Sequence, residues 1–252
     1  MTIITYENGK RAGACREIVA SSPILDGYKM LTILPIPTTR DGVTVAGCDK
    51  TLDSLASEAE EGEVYLGYML PGWLADALRG AGAAVVDAAL DEEFLTENAR
   101  LTAIATLGIM LSDFERAPNE ISVGIVGYGR IGRALIRLLL PLGYEVTVYS
   151  TRGAVVDCLG ASGVSAVLVR AGDRLPICDL LVNTAPAPLF DCSYASREMP
   201  IYELAGGGNF STADGGTPQG LRPLPSLPNR YLPWSAGRAY AAALLRALGG
   251  EV

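Results

Sequence analysis

In the second half of the chain, short runs of apolar residues alternate with segments whose apolar residues have helical spacing. Short apolar runs bounded by polar residues and glycines are typical of buried strands. The predicted strands are Ile121–Val126, Glu145–Tyr149, Val164–Val169, Asp179–Asn183, Ile201–Ala205 and Tyr231–Pro233. The predicted helices include Arg130–Leu142 and Ala236–Leu248. Repeated strand–helix units with short connections predict an α/β fold built on a doubly wound parallel sheet.

The first half is less regular but has the same strand and helix alternation on a smaller scale. Apolar runs predict strands over Lys29–Pro37, Gly62–Met69 and Ala83–Asp87, and a proline start with a glycine end predicts a helix over Pro71–Gly80. A long helix, Glu92–Phe114, follows. We therefore expect a smaller N-terminal α/β domain over residues 1–93 and a second domain over residues 94–252. The last helix, residues 236–248, can pack back on the first domain.

Composition narrows the class of protein. Of the 252 residues 49% are hydrophobic, and the formal net charge is −8. An acidic chain without a cluster of Lys and Arg does not fit a non-specific nucleic-acid binder. The segment Met1–Arg11 lacks the apolar core of a secretion signal, and Leu101–Leu111 is too short to cross a bilayer. These features predict a cytoplasmic protein without a membrane or nucleic-acid partner.

Two residue types are informative through their number. The five cysteines are scattered, which favours small, buried, reduced side chains over a disulfide framework or a zinc site. The chain has no histidine, which is the commonest general acid–base and the commonest metal ligand. Enzymes that depend on a histidine are therefore excluded, and we expect no metal site. A cofactor would have to carry most of any chemistry.

The motif with the clearest chemical meaning joins a predicted strand to a predicted helix. It consists of Gly127, Tyr128, Gly129, Arg130, Ile131 and Gly132. In this context Gly127 permits a tight turn, Gly129 lets a pyrophosphate approach the backbone, and Gly132 lets the helix pack closely on the strand. Free N–H groups at the helix N-terminus would hold the phosphates. The motif predicts a dinucleotide-binding Rossmann domain; the alternative is a glycine turn without a cofactor.

The end of the next predicted strand indicates which dinucleotide is preferred. An NAD site places an acidic residue there, whereas this chain has Ser150, Thr151 and Arg152. Two hydroxyls and a guanidinium can bind a 2′-phosphate by charge-assisted hydrogen bonds, and Arg130 can add a second cation. The pattern favours NADP over NAD. The alternative is that Arg152 points to solvent.

Two further loops leave the predicted sheet at its carboxyl end, where ligands bind in such folds. The first consists of Asn183, Thr184, Ala185 and Pro186, and we expect it near the nicotinamide ribose. An ordinary proline turn is the alternative for this loop. The second loop, residues 206–209, contains three glycines that allow close approach of a ligand or form a flexible connection.

At these residues the chain resembles the A-type chains of dipicolinate synthase, a spore-former enzyme family related in architecture to D-2-hydroxyacid dehydrogenases. The similar segments have the same order over most of the chain: Leu34–Thr38, Asp41–Gly42, Asn98–Thr102, Gly127–Gly132, Asn183–Pro186, Glu203–Ala205 and Ala236–Gly237. The resemblance implies a small substrate domain followed by an NAD(P)-binding domain.

The resemblance also implies an activity, which is oxidation of a dihydrodipicolinate-type cyclic dicarboxylate to dipicolinate with NADP as hydride acceptor. A ring about to become aromatic loses a hydride and a proton with a strong driving force, so positioning can suffice without histidine. A second synthase subunit is the implied partner, and a homodimer is also open. Candidate donors to the substrate are Thr38, Thr39, Arg40, Asn98, Thr102, Asn183 and Gly207.

The chain departs from the family pattern at two informative positions. Ile104 stands where the family has an acidic residue, and Ala205 stands where the family has an arginine before a double glycine. Two alternatives therefore stay open: a non-catalytic NAD(P)-binding regulatory or scaffold subunit, and a dehydrogenase of another 2-hydroxy or imino acid. Tyr68, Asp41 and water are the candidate proton acceptors. We also expect a shortened N-terminal domain without a clear first strand.

Overall fold

The computed structural model describes residues 1–7, 9–191, 199–206, 210 and 217–250. The helices of this described part are α1 (Lys10–Ala20), α2 (Leu52–Glu58), α3 (Gly72–Gly80), α4 (Glu92–Asp113), α5 (Arg130–Leu139), α6 (Gly153–Ala161), α7 (Leu227–Tyr231) and α8 (Pro233–Ala247). Its strands are β1 (Thr2–Thr5), β2 (Met30–Ile33), β3 (Glu63–Gly67), β4 (Ala84–Asp87), β5 (Ser122–Val126), β6 (Glu145–Ser150), β7 (Ser165–Leu168), β8 (Asp173–Arg174), β9 (Leu180–Asn183), β10 (Phe190–Asp191), β11 (Ile201–Glu203) and β12 (Leu221–Pro223).

The contacts within the chain divide it into two compact units. Unit 1 comprises Met1–Leu101 and Pro228–Val252, and unit 2 comprises Thr102–Leu227. The division falls inside α4, so the first part of this helix belongs to unit 1 and the rest to unit 2. The domain boundary between residues 93 and 94 stays a prediction.

Unit 1 is built on a parallel sheet with the strand order β1-β2-β3-β4. Successive side chains of a strand point to opposite faces, and both faces of this sheet are apolar. Val64 and Leu66 belong to the cluster formed with α1 and α8, whereas Tyr65 between them belongs to the cluster formed with α2 and α3. Helices therefore cover the sheet on both sides.

Within residues 1–101, one strand and two α-helices are absent from the sequence-based prediction, namely β1, α1 and α2. The expectation that the first strand is missing is wrong, because β1 pairs with β2 along its full length. The buried face of α1 consists largely of small residues such as Ala14 and Cys15, which give little hydrophobic periodicity. Small residues are needed there because α8 packs closely on α1: a Cβ on Gly237 would lie 2.5 Å from the carbonyl oxygen of Arg11.

Unit 2 confirms the predicted doubly wound parallel sheet. Its strand order is β12-β11-β9-β5-β6-β7, and every neighbouring pair is parallel. The chain starts this sheet in the centre at β5, moves outward through β6 and β7, and then returns to the other side at β9. The direction of winding thus reverses between β5 and β9. In such sheets ligands bind outside the carboxyl ends of the strands at this reversal.

The strand predicted over Tyr231–Pro233 is wrong. Tyr231 ends α7, and Pro233 begins α8. Proline suits the first turn of a helix, because its missing N–H is one that the helix cannot satisfy internally. The last strand of the sheet is instead β12, which ends in Pro223 at the edge of the sheet. Proline is tolerated in an edge strand, although its presence argues against a strand when only the sequence is read.

The cysteines are more varied than expected. The four in the described part of the chain are unpaired, and burial raises the pKa of the Cys15 thiol to about 12. Cys158 is exposed, so the expectation of buried side chains is wrong for it, and Cys192 lies outside the described residues. In that described part no helix is long and apolar enough to cross a membrane. No group of three potential metal ligands is found there either.

Asp179 joins the amino ends of β5 and β9. One carboxylate oxygen accepts hydrogen bonds from the Ser122 N–H at 2.8 Å and the Ser122 hydroxyl at 2.7 Å. The other accepts a hydrogen bond from the Arg116 guanidinium at 2.7 Å. These bonds, that from the Ser122 N–H foremost, lower the pKa of Asp179 to about 2. The carboxylate therefore stabilises the fold in its charged form.

Replacing Asp179 with asparagine should lower the free energy of unfolding at neutral pH by about 1 kcal/mol, because the half-buried Ser122 and the exposed Arg116 lose a charged acceptor. The folded pKa is depressed below the unfolded value of about 4. The stabilisation is therefore present above about pH 4 and is lost as the pH falls towards 2. As the pH is lowered across this range, the melting temperature of the wild type should fall more steeply than that of Asp179→Asn. Parallel curves would contradict the role given to Asp179.

Candidate functional site

The loop between β5 and α5 makes a turn that depends on glycine at two positions. Gly127 has a φ of 94°, and its N–H donates to the carbonyl oxygen of Tyr149 at 2.9 Å. A Cβ on Gly132 would lie 2.3 Å from the carbonyl oxygen of Gly127. The first turn of α5 thus rests directly on the loop. A left-handed φ and this close approach are conditions that glycine meets and other residues do not.

Gly129 is different, because the fold itself does not require glycine there. Its φ is −84°, and a Cβ would meet no heavy atom within 4 Å. This open space lies at the N-terminus of α5, where the first N–H groups have no acceptor within the helix. A helix N-terminus with space in front of it is suited to a phosphate group. The pyrophosphate of a dinucleotide therefore fits the site.

The other residues of the glycine loop differ in their surroundings. Tyr128 and Ile131 are half-buried and pack against the main apolar cluster of unit 2, so they anchor the loop. Arg130 is exposed at the start of α5 and interacts with another group of the chain.

The residues after β6 lie beside the glycine loop. The Arg152 guanidinium donates to the carbonyl oxygen of Tyr128 at 3.4 Å. Arg152 and Thr151 are exposed, whereas Ser150 is buried and its hydroxyl oxygen accepts a hydrogen bond from the Arg152 N–H at 3.2 Å. Thr151 and Arg152 are thus available to a ligand, and Ser150 shapes the turn. No acidic side chain ends β6.

The loop after β9 is fastened to the end of β5. The Thr184 N–H and hydroxyl donate to the carbonyl oxygen of Val126 at 2.9 and 2.8 Å. Asn183 is buried, and its side chain both accepts from the Ala185 N–H at 3.1 Å and donates to the Ala185 carbonyl at 3.0 Å. Pro186, at the end of the loop, is exposed. The fold therefore brings residues 183–186 to the glycine loop.

Glu203, at the end of β11, belongs to the same edge of the sheet and was not singled out as a site residue from the sequence. Its side chain is buried. One carboxylate oxygen accepts from the Ala205 N–H at 2.8 Å and the Gly206 N–H at 3.2 Å. The other accepts from the Asn183 side-chain amide at 2.8 Å. An acidic residue at the end of an apolar strand, with a run of glycines that begins three residues later, is the signal that the sequence contained.

In unit 1 the candidate substrate residues around Thr38 form a compact loop. Thr38 is buried, and its hydroxyl oxygen accepts from the Tyr68 N–H at 2.9 Å. The Thr39 hydroxyl donates to Asp41 at 3.1 Å. Asp41 accepts hydrogen bonds from the N–H and the hydroxyl of Thr44 and from the N–H of Val43. These bonds hold the pKa of the Asp41 carboxyl well below its usual range. Asp41 is therefore a weak base, and Arg40 is exposed beside it.

The remaining candidates lie on α4 or outside the described residues. Asn98 is half-buried and Thr102 is buried, and both interact with other groups of the chain. The Thr102 carbonyl accepts a hydrogen bond from the Thr106 hydroxyl at 2.8 Å. Ile104 is half-buried in the same helix. Gly207 lies outside the described residues.

Comparison with known families agrees with this interpretation of unit 2. Residues 112–189 match the NAD binding domain of the D-isomer specific 2-hydroxyacid dehydrogenases. The match includes the glycine loop, the end of β6 and the loop after β9, so an NAD-binding domain is present. No curated protein matches the chain by sequence.

Solved structures with the same fold include the A-type chains of two dipicolinate synthases. The one from Bacillus halodurans has a TM-score of 0.69 at 16% identity, covering 99% of this chain and 98% of its own. The one from Bacillus subtilis has a TM-score of 0.71 at 18% identity, covering 98% and 95%. A transhydrogenase from Sinorhizobium meliloti has a TM-score of 0.58 at 13% identity, covering 96% and 90%. The resemblance drawn from the sequence is therefore confirmed for the fold.

Proposed function

We propose that this protein is an NADP-dependent oxidoreductase that oxidises a dihydrodipicolinate-type cyclic dicarboxylate to dipicolinate by hydride transfer. The observation that carries the proposal is the edge formed by the glycine loop and the end of β6. There, open space at Gly129 faces a helix N-terminus, and Arg152 takes the place of an acidic residue. Similarity in fold to the A-type chains of dipicolinate synthase over nearly the whole length supports the substrate class.

Each part of the edge would have one task in holding the nucleotide. The N–H groups at the start of α5 would bind the pyrophosphate. Thr151 and Arg152 would bind the 2′-phosphate, for which a guanidinium provides bidentate, charge-assisted hydrogen bonds. The loop of residues 183–186 would lie along the nicotinamide ribose. The bound nicotinamide supplies the hydride acceptor.

On the substrate side, the chain would chiefly orient the ring. The two carboxylates of the substrate require positively charged groups or other N–H and O–H donors. Thr39 and Arg40 offer such donors on a loop that Asp41 holds in place by hydrogen bonds. The chain itself would have to accept only the proton that the ring releases, for which water or Tyr68 is the candidate. Asp41 is a poor acceptor because its pKa is lowered. We further propose a cytoplasmic location, with a second synthase subunit or a second copy as partner.

Hydride transfer tests the proposal directly. Purified protein would be mixed with NADP⁺ and a dihydrodipicolinate-type substrate, alone and with a candidate second subunit, while NADPH absorbance is followed. Formation of NADPH and dipicolinate in equal amounts is the expected result. Nucleotide binding without any turnover under both conditions would reject the reaction.

Arg152→Ala should weaken NADPH binding by about tenfold to a hundredfold, the value of one or two charge-assisted hydrogen bonds. NADH binding should change little, since NADH lacks the 2′-phosphate. The measurement is a fluorescence titration with each nucleotide. Arg137→Ala is the matched control, because it removes the same charge from the exposed last turn of α5. Equal loss in both variants would assign the effect to net charge.

A second candidate function is an NAD(P)-binding regulatory or scaffold subunit without catalysis. It is favoured by Ile104 on α4, which cannot exchange a proton, and by the low basicity of Asp41. It requires the same nucleotide site. The absence of hydride transfer by a protein that binds NADPH tightly would favour this function.

A further inference from the structure

Glu203 is an unusual residue at the carboxyl edge of the unit 2 sheet, because it is a carboxylate with 6% of its surface exposed. Burying a carboxylate is unfavourable unless its oxygens accept good hydrogen bonds. The three bonds described above all come from residues at or beyond the ends of β9 and β11. The carboxylate therefore joins two loops at the carboxyl edge of the sheet, beside the strand β9 at which the winding reverses.

The connection continues towards the glycine loop. Asn183 donates to Glu203 and also holds Ala185 through two further hydrogen bonds. The next residue, Thr184, is bonded to the end of β5, and a Cβ on Gly127 would lie 2.9 Å from its hydroxyl oxygen. Hydrogen bonds thus connect Glu203 through Asn183 to Ala185, which follows the residue that faces the glycine turn.

We infer that Glu203 is a positioning residue, which fixes residues 183–186 after β9 and residues 204–206 after β11 in the arrangement that receives the nicotinamide half of the nucleotide. This inference rests on the proposed function. Glu203 itself contacts backbone N–H groups and Asn183, so it acts through the loops. Its counterpart at the opposite end of β9 is Asp179, which also accepts backbone and side-chain donors but lies away from the carboxyl edge.

The test compares Glu203→Gln with Asp179→Asn in the full-length protein. Both variants exchange a carboxylate for an amide, and both should lower the melting temperature. In Glu203→Gln an N–H₂ group replaces one of the two carboxylate oxygens. This group then faces an N–H donor of the protein, and two donors cannot form a hydrogen bond with each other. We expect its NADPH affinity, measured by nicotinamide fluorescence, to fall by about tenfold or more. Asp179→Asn should bind NADPH within about twofold of the wild type.

Wild-type affinity in Glu203→Gln, or an equal loss in Asp179→Asn, would overturn the inference. If Glu203→Gln does not fold, amide exchange in the wild type decides: NADPH should protect the N–H groups of Ala185, Ala205 and Gly206, and unchanged exchange would reject the role. Failure of the wild type to bind any nucleotide would reject the proposed function and this inference together. NADPH binding by the wild type with an insensitive Glu203 would reject the inference alone.

Discussion

Gly132→Ala is expected to distort the glycine loop and to remove nucleotide binding. The added methyl group would lie 2.3 Å from the carbonyl oxygen of Gly127, a backbone atom that cannot move away by rotating a side chain. The start of α5 and the turn after β5 must therefore separate. Overpacking of this kind costs about 1–3 kcal/mol, and more where backbone must shift.

Two measurements check this expectation, a thermal melt and an NADPH titration. We expect the melting temperature to fall clearly and binding to become undetectable. Gly160→Ala is the matched control, because Gly160 lies within α6 of the same unit and a Cβ there would meet nothing within 4 Å. That variant should be as stable as the wild type or slightly more so, since alanine favours helices over glycine by up to about 1 kcal/mol. A Gly132→Ala protein with wild-type melting and binding would contradict the geometry of the loop.

Gly129→Ala should separate binding from stability. Its φ of −84° suits alanine, and no heavy atom lies within 4 Å of the added Cβ, so the melting temperature should stay near that of the wild type. The methyl group would occupy the space before α5 that the pyrophosphate needs. Crowding worth about 1–3 kcal/mol corresponds to a loss in NADPH affinity of about fivefold to 150-fold.

The pair of glycine variants gives a sharp comparison within one motif. Gly132→Ala should lose stability and binding together, whereas Gly129→Ala should lose binding alone. Unchanged NADPH affinity in Gly129→Ala would mean that the open space before α5 is not where the phosphates lie. Calorimetry and fluorescence on the same preparations would show both properties at once.

The unit 2 fold was predictable because its signals are local. Apolar runs mark β5, β6 and β9, and the spacing of Gly127 and Gly132 follows from contacts within six residues of chain. Elements with weak local patterns were missed. The buried face of α1 is made largely of small residues, and β12 carries a proline that only its edge position makes acceptable.

The site was predictable to a smaller extent, because some of its contacts join distant residues. The partnership of Glu203 with Asn183 exists only because β11 lies beside β9, a pairing that no short segment of sequence reveals. Asp41 is the opposite case. Its bonds to Thr39 and Thr44 are local, and the order Thr, Asp, Gly and Thr was a sign that the carboxylate caps a turn and is a poor base.

A fluorescence titration of the wild-type protein with NADPH and with NADH tests the central claim most directly. The carboxyl edge of unit 2 should bind NADPH at least about tenfold more tightly than NADH, because Arg152 and Thr151 replace the acidic residue of an NAD site. Preference for NADH would contradict the role of Arg152 while leaving the dinucleotide site in place. Failure of the folded protein to bind either nucleotide would contradict the account as a whole.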